Sequence, residues 1–132
     1  MNRILLTVAA LTASLLLPTL ATAATPQEQL AAYVQASGTR PDPLAGQTFF
    51  SAKHGRDWSC STCHTATPTV TGKHATTSKS IAPLAPVADA ARFTDGAKTE
   101  KWFRRNCNDV VGRECTVTEK ANVLAWLLSL KA

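Results

Sequence analysis

Five residues constrain the fold of this chain more than any others. They are Cys60-Ser61-Thr62-Cys63-His64, the pattern CxxCH. A two-residue spacer lets both thiols reach neighbouring vinyl groups of one haem and form thioether bonds, and the histidine that follows can bind the iron. A chain with this motif has to fold around a large apolar group. The motif therefore predicts one covalent haem c, held by Cys60 and Cys63, with His64 as the proximal iron ligand.

Three other uses of the motif fit the sequence less well. A thioredoxin-like redox site needs a preceding strand in a βαβ unit, and no such pattern precedes Cys60. A structural zinc site needs a second ligand pair, and the spacing of Cys107 and Cys115 is poor for that purpose. A disulfide between Cys60 and Cys63 leaves His64 without a role.

The first residues have the layout of a secretory signal peptide. Arg3 is a short positive region, residues 4–17 are mostly apolar, and small residues occupy 21–23. The apolar run is too short for a stable membrane span. We expect a signal peptide at 1–23, cleavage after Ala23 or Ala24, and a periplasmic monohaem cytochrome c domain at 24–132 without stable membrane insertion.

Charge adds little about partners. The chain has 14 Lys+Arg and 9 Asp+Glu, so removing Arg3 leaves 13 against 9 and a formal charge of +4. The positive residues are dispersed along the sequence, which predicts a solvated surface or a modest basic face for an acidic redox partner. No motif indicates nucleic acid binding.

The rest of the chain is typical of a small all-α domain. Capping boxes at Thr25 and Thr116 predict the starts of the first and last helices, with Gly38 ending the first. Other helices are predicted at 44–51 and from Thr94-Asp95 to about Asn106. Between His64 and Pro86 lies a long irregular segment.

The second axial ligand of the iron is less clear from the residues alone. The only methionine is Met1, which leaves with the signal peptide. His54 and His74 are the remaining nitrogen donors of the usual kind, and both lie in polar loops. An open position or a weak ligand is therefore a serious alternative to a bis-histidine iron. Export to an oxidising compartment favours a disulfide for Cys107 and Cys115.

A family resemblance narrows these choices. The run from Lys79 to Leu130, with IAPLAP, RFTD, EKW, RNCN, GREC and EKA, resembles the SHP-type (sphaeroides haem protein) oxygen-binding cytochromes c and cytochrome c double-prime. The likeness extends over essentially the whole mature chain. Gly46 and Phe50, set against Trp126 and Leu127, also resemble the crossing of the first and last helices in class I cytochromes c.

The resemblance implies a class I cytochrome c-like fold with an additional N-terminal helix and a long haem-wrapping loop. It assigns the sixth ligand to the asparagine directly before the first disulfide cysteine, which is Asn106, with Asn108 as the nearest competitor. It also implies a disulfide between Cys107 and Cys115. A carbonyl of the loop IAPLAP is expected to accept a hydrogen bond from Nδ1 of His64, as proximal histidines often require.

An amide ligand has a consequence for function. Its oxygen is a hard, neutral and weak donor that suits ferric iron better than ferrous iron. Reduction would then free a position for O2, NO or CO, and the resemblance implies a dihaem cytochrome c and a membrane cytochrome b as electron donors. A bis-histidine electron carrier using His54 or His74 and an enzyme that reduces a small oxidised substrate are the alternatives. The sequence places no obvious proton donor near the iron for such a reductase, and it does not decide whether the protein is an enzyme.

Overall fold

Helices are the main regular elements of the structure. The computed structural model describes residues 24–131, so the expected signal peptide lies outside the described residues. The helices are α1 (Pro26–Ser37), α2 (Pro43–Ser51), α3 (Cys60–His64), α4 (Gly96–Val110) and α5 (Val117–Ser129), and the strands are β1 (Gly72–Lys73) and β2 (Ser80–Ile81). The predicted all-α class is confirmed, since the two strands form one antiparallel pair of two residues each. Over the same range, no helix is long and apolar enough to cross a bilayer.

Local signals set the starts of the first and last helices. The hydroxyl of Thr25 accepts from the backbone N–H of Glu28 at 3.1 Å, and the Glu28 carboxylate accepts from the N–H of Thr25 at 2.6 Å. Thr116 and Glu119 repeat this exchange at 3.2 and 2.7 Å before α5. Each box satisfies N–H groups that a helix start leaves without partners. Gly38 ends α1 with a φ of 65°, as predicted.

The core forms around α5, which packs against both α1 and α2. Gly46 lets α2 approach closely, because a Cβ at this position would lie 2.0 Å from the carbonyl oxygen of Asn122. One turn later, the buried ring of Phe50 lies 4.9 Å from that of Trp126, measured between centroids. The expected crossing of α2 and α5 is therefore present, and Gly46 contacts Asn122, one turn before Trp126.

The predicted end of α4 was wrong. The helix continues through Asn106 to Val110, because the backbone N–H groups of Val111 and Gly112 both donate to the carbonyl of Cys107, at 2.7 and 3.1 Å. Gly112, with a φ of 81°, then turns the chain. Asn106 consequently lies inside the helix, one turn before its end.

Candidate haem-binding site

The CxxCH motif forms a single helical turn, α3. Ser59 precedes it in an extended conformation and donates its backbone N–H to Oγ1 of Thr62 at 2.9 Å. Residues three and four apart lie on the same side of a helix, so Cys60 is next to both Cys63 and His64. All three side chains are partly buried and line one cavity.

That cavity has the size and lining of a cofactor site. Its volume is about 520 Å³, within the range of pockets that hold small molecules and cofactors. Five apolar side chains from different parts of the chain line it: Ile81, Leu84, Trp102, Phe103 and Val110. Further aromatic walls come from Phe49, Phe50, Trp58 and Phe93. Two thiols and an imidazole at one apolar wall fit haem c, whose ring is large, flat and apolar.

Burial sets the protonation of the motif. It lowers the pKa of His64 to about 4, with a smaller contribution from the positive charge of Arg92. The imidazole is therefore neutral at pH 7, the form that can ligate a metal. Burial also raises the pKa of Cys60 to about 11. A thiol that stays protonated is a poor redox nucleophile, which argues against the thioredoxin-like alternative.

A short hairpin supports the motif from outside. Gly72 in β1 is buried against α3, and a Cβ there would lie 2.1 Å from the carbonyl oxygen of Cys63 and 3.2 Å from Cα of His64. Ala75 donates its backbone N–H to Sγ of Cys63 at 3.3 Å. Sequence reasoning did not single out Gly72. A glycine between Thr71 and Lys73 in a segment predicted to be irregular gives only a weak sign of such a close approach.

Arg92 fixes the proline-containing loop at the cavity. Its Nε donates to the carbonyl of Pro83 at 2.8 Å, and a terminal guanidinium nitrogen donates to that of Ala82 at 2.7 Å. Asp89 forms an ion pair with it at 3.2 Å. We expected His64 to donate to this loop, but none of the hydrogen bonds within residues 24–131 joins them. Arg92 takes two of the candidate carbonyls, a role that an isolated arginine does not reveal in a sequence.

One face of α4 forms the wall that carries Asn106. Residues of α4 at helical spacing line the cavity, among them Thr99, Phe103, Asn106 and Val110. Asn108, the nearest competitor, does not line the cavity. The structure thus brings Asn106 and His64 to one cavity from two different helices.

The second cysteine pair lies directly beside Asn106. Cys107 and Cys115 are both buried and are at disulfide distance, with their Cα atoms 5.6 Å apart. The pair connects the last turn of α4 to the segment that leads into α5. It restrains the turn on which Asn106 lies.

A polar cluster holds the other half of α4. The hydroxyl of Tyr33 in α1 donates to Glu100 at 2.5 Å, and Nζ of Lys120 in α5 donates to the same carboxylate at 2.7 Å. Burial alone would raise the pKa of Glu100, but the hydrogen bonds from Lys120 and Tyr33 hold it below its ordinary value. The ring of Phe103 stands edge-on to Tyr33 at 6.0 Å. Helix α4 is therefore held near its start by Glu100 and near its end by the cysteine pair.

The two spare histidines differ in position. Nε2 of His54 is 2.7 Å from the carbonyl oxygen of Phe49, its ring packs on the Phe49 ring at 4.3 Å, and it does not line the cavity. His74 does line it, and its Nδ1 is 3.4 and 3.3 Å from the backbone nitrogens of Thr76 and Thr77. The bis-histidine alternative is thereby narrowed to His74.

Known proteins are similar in sequence to this chain. A family model described as a domain of unknown function, DUF1924, matches residues 36–127. The cytochrome c-type protein SHP of Cereibacter sphaeroides is 47% identical over 114 residues, which cover 83% of this chain and 88% of that protein. The chain belongs to the SHP family of c-type cytochromes. Because c-type cytochromes carry haem c, the predicted cofactor of this SHP-family protein is confirmed.

A second relative and two solved structures agree with this assignment. Cytochrome c'' of Methylophilus methylotrophus is 42% identical over 93 residues, 67% of this chain and 65% of that protein. The structure of oxidised SHP, described as an oxygen-binding cytochrome c, superposes with a TM-score of 0.76 at 45% identity, covering 81% of this chain and 98% of that one. Oxidised cytochrome c'' from the same Methylophilus gives 0.72 at 33% identity, covering 81% and 95%. The class I-like helical fold expected from the resemblance is confirmed.

Proposed function

We propose that this protein is a periplasmic monohaem cytochrome c, exported by a cleaved signal peptide at 1–23, that accepts electrons and binds a small diatomic ligand. O2, NO and CO are the ligands of this class. The observation that carries the proposal is that Asn106, a weak donor, shares the cavity of His64, while no methionine occurs in residues 24–131. The description of the SHP structure as an oxygen-binding cytochrome c supports it.

The motif residues hold the cofactor. Cys60 and Cys63 would hold haem c through thioether bonds, and the neutral imidazole of His64 would be its proximal ligand. Haem c would supply a redox-active iron. The apolar walls around these residues would pack against the ring.

Asn106 is the residue that would supply the second, redox-sensitive ligand. With haem c bound, its side-chain oxygen would be a weak, hard donor suited to ferric iron, and reduction would loosen it. Both halves of α4 are fixed, by Glu100 on one side and by the cysteine pair on the other, so a change at Asn106 would involve its side chain rather than the helix. The freed amide could then donate a hydrogen bond to a bound diatomic ligand.

The electron donors proposed from the family resemblance are a dihaem cytochrome c and a membrane cytochrome b. A second candidate function is electron transfer alone, with His64 and His74 as the two axial ligands. It is favoured by one observation, the presence of His74 among the residues that line the cavity. A bis-histidine protein would bind CO poorly in its reduced form.

Spectra of single variants test the distal ligand. We expect Asn106→Ala to open the ferric iron or leave it bound by water, and to retain ferrous CO binding with altered affinity. Asn106→His should convert the site toward a bis-histidine centre that resists ligands when ferric. Absorption and EPR spectra in both oxidation states provide the measurement. Asn108→Ala is the matched control and should leave every spectrum unchanged.

His74→Ala decides between the two functions. Under the proposed function, it leaves both oxidation states nearly unchanged. If His74→Ala alone opens the ferric iron, Asn106 is not the ligand and the electron-carrier function replaces the proposed one.

The intact mass of the exported protein tests the remaining assignments. It should correspond to a chain that begins at Ala24 or Thr25 plus one haem. Cys60→Ala, Cys63→Ala and His64→Ala should each prevent stable assembly. A mature chain without the haem increment would contradict the central assignment.

A further inference from the structure

Four positive residues of one short run of sequence lie on one face of α4. The helix contains the run KTEKWFRR, whose four cations are Lys98, Lys101, Arg104 and Arg105. At 100° per residue these four positions span an arc of about 120°. All four residues are exposed. We call them the basic face.

Two carboxylates lie near the basic face. Glu100 is bound by Tyr33 and Lys120, and the positive charge of Arg104 also acts on it. Asp109 is exposed one turn after Arg105. Four cations outnumber these two carboxylates, so the basic face has a net positive charge.

An aromatic side chain borders the basic face. Trp102 is 45% exposed, and the guanidinium of Arg105 lies 5.7 Å from the centroid of its ring. Trp102 also lines the cavity, so the same residue reaches both the surface and the site. Tryptophan and arginine are the residues most enriched among those that dominate binding energy at protein interfaces.

We propose that the basic face, with Trp102 at its edge, is the docking surface for an acidic protein that delivers electrons. This inference rests on the proposed electron acceptance. Clustered positive charge steers an acidic partner, and this effect weakens as ionic strength rises. Trp102 supplies apolar contact area once the partner is seated. Lys98, Trp102 and Arg105 also line the cavity, so a donor docked on this surface lies next to the cavity that would hold the acceptor.

A protein partner fits this surface better than a lipid membrane does. An interfacial membrane helix needs a broad apolar face opposite its cations. The apolar side of α4, which includes Phe103, Cys107 and Val110, already lines the cavity.

Stopped-flow reduction of the ferric holoprotein tests the proposal. The probe is an acidic flavodoxin in its anionic hydroquinone form, which gives one electron to the ferric iron and becomes the neutral semiquinone. The test variant is Lys101→Glu/Arg104→Gln, and neither residue lines the cavity. The matched control is Arg40→Gln/Lys131→Glu, which makes the same change of −3 at two exposed positions outside α4.

Electrostatic steering predicts the size of the effect. The test variant should lose about tenfold in the second-order rate constant at low ionic strength, and most of its salt dependence. The control should stay within about twofold of wild type, since its charges lie away from the docking surface. An equal loss in both variants overturns the proposal, because net charge then explains the effect.

Two further measurements separate other causes. Neutral lumiflavin semiquinone, which gives one electron and releases one proton, should reduce all three proteins at the same rate. If it reduces none of them, electron acceptance itself fails, and the docking proposal falls with it. Co-sedimentation with vesicles of anionic phosphatidylglycerol is the other measurement. One combined result would overturn the proposal: wild type binds the vesicles, the test variant does not bind them, and flavodoxin reduces both proteins equally. A membrane would then be the partner of the basic face.

Discussion

Replacing Gly72 by alanine should move the hairpin off the haem-binding turn. The added Cβ would lie 2.1 Å from the carbonyl oxygen of Cys63. An ordinary contact is about 3.4 Å, so the two backbones have to separate by about 1.3 Å. Both sides of this contact are backbone or a fixed Cβ, and no change of rotamer relieves it.

The expected cost follows from two opposing effects. Overpacking of this kind costs about 3 kcal/mol when no side chain can give way. Replacing glycine by alanine also restricts the unfolded chain, which offsets about 0.4–1 kcal/mol. We therefore expect Gly72→Ala to lower the free energy of unfolding by about 2 kcal/mol. The hydrogen bond from Ala75 to Sγ of Cys63 should weaken at the same time.

Urea unfolding of the oxidised holoprotein, followed by haem absorbance and far-UV circular dichroism, measures this change. Lys73→Ala is the matched control in the same strand. Its side chain is exposed, so it should change stability by no more than about 0.5 kcal/mol. If the free energy of unfolding of Gly72→Ala is within about 0.5 kcal/mol of the wild-type value, the close approach of hairpin and motif does not restrict the residue at position 72.

Two other predictions concern the points that fix α4. Cys107→Ser/Cys115→Ser opens a loop of nine residues, which in the chain-entropy model lowers the free energy of unfolding by about 2.6 kcal/mol; equal stability of the variant and wild type in urea would contradict the disulfide. Burial raises the pKa of Glu100, but hydrogen bonds from Lys120 and Tyr33 lower it by more, so the net pKa is below the ordinary value. The ionised carboxylate therefore stabilises the fold at neutral pH, and this stabilisation is lost as pH falls below the ordinary glutamate range. Glu100→Gln should thus be less stable than wild type at pH 7 and approach it in acid, and a constant difference across pH would refute this explanation.

The sequence alone determined the features that depend on neighbouring residues. Haem attachment requires two thiols and an imidazole within one helical turn, so the pattern at 60–64 is complete in five letters. Helix caps are equally local, and the boxes at Thr25 and Thr116 are found where they were predicted. The position of Asn106 before Cys107 came from family resemblance, because an asparagine in a helix has no pattern that marks it as a ligand.

Only the tertiary structure decided which distant residues meet. Gly72 contacts the motif through a close backbone approach, and the side chain of Arg92 binds carbonyls of the proline loop; no local pattern encodes either contact. The end of α4 depended on the turn at Gly112. The four cations of α4 lie inside the helix that the sequence predicted, and the tertiary structure decided only that their face is exposed to solvent beside the cavity. Such contacts depend on the packing of whole elements, and for this reason the sequence carries the chemistry of the site while the fold determines its surroundings.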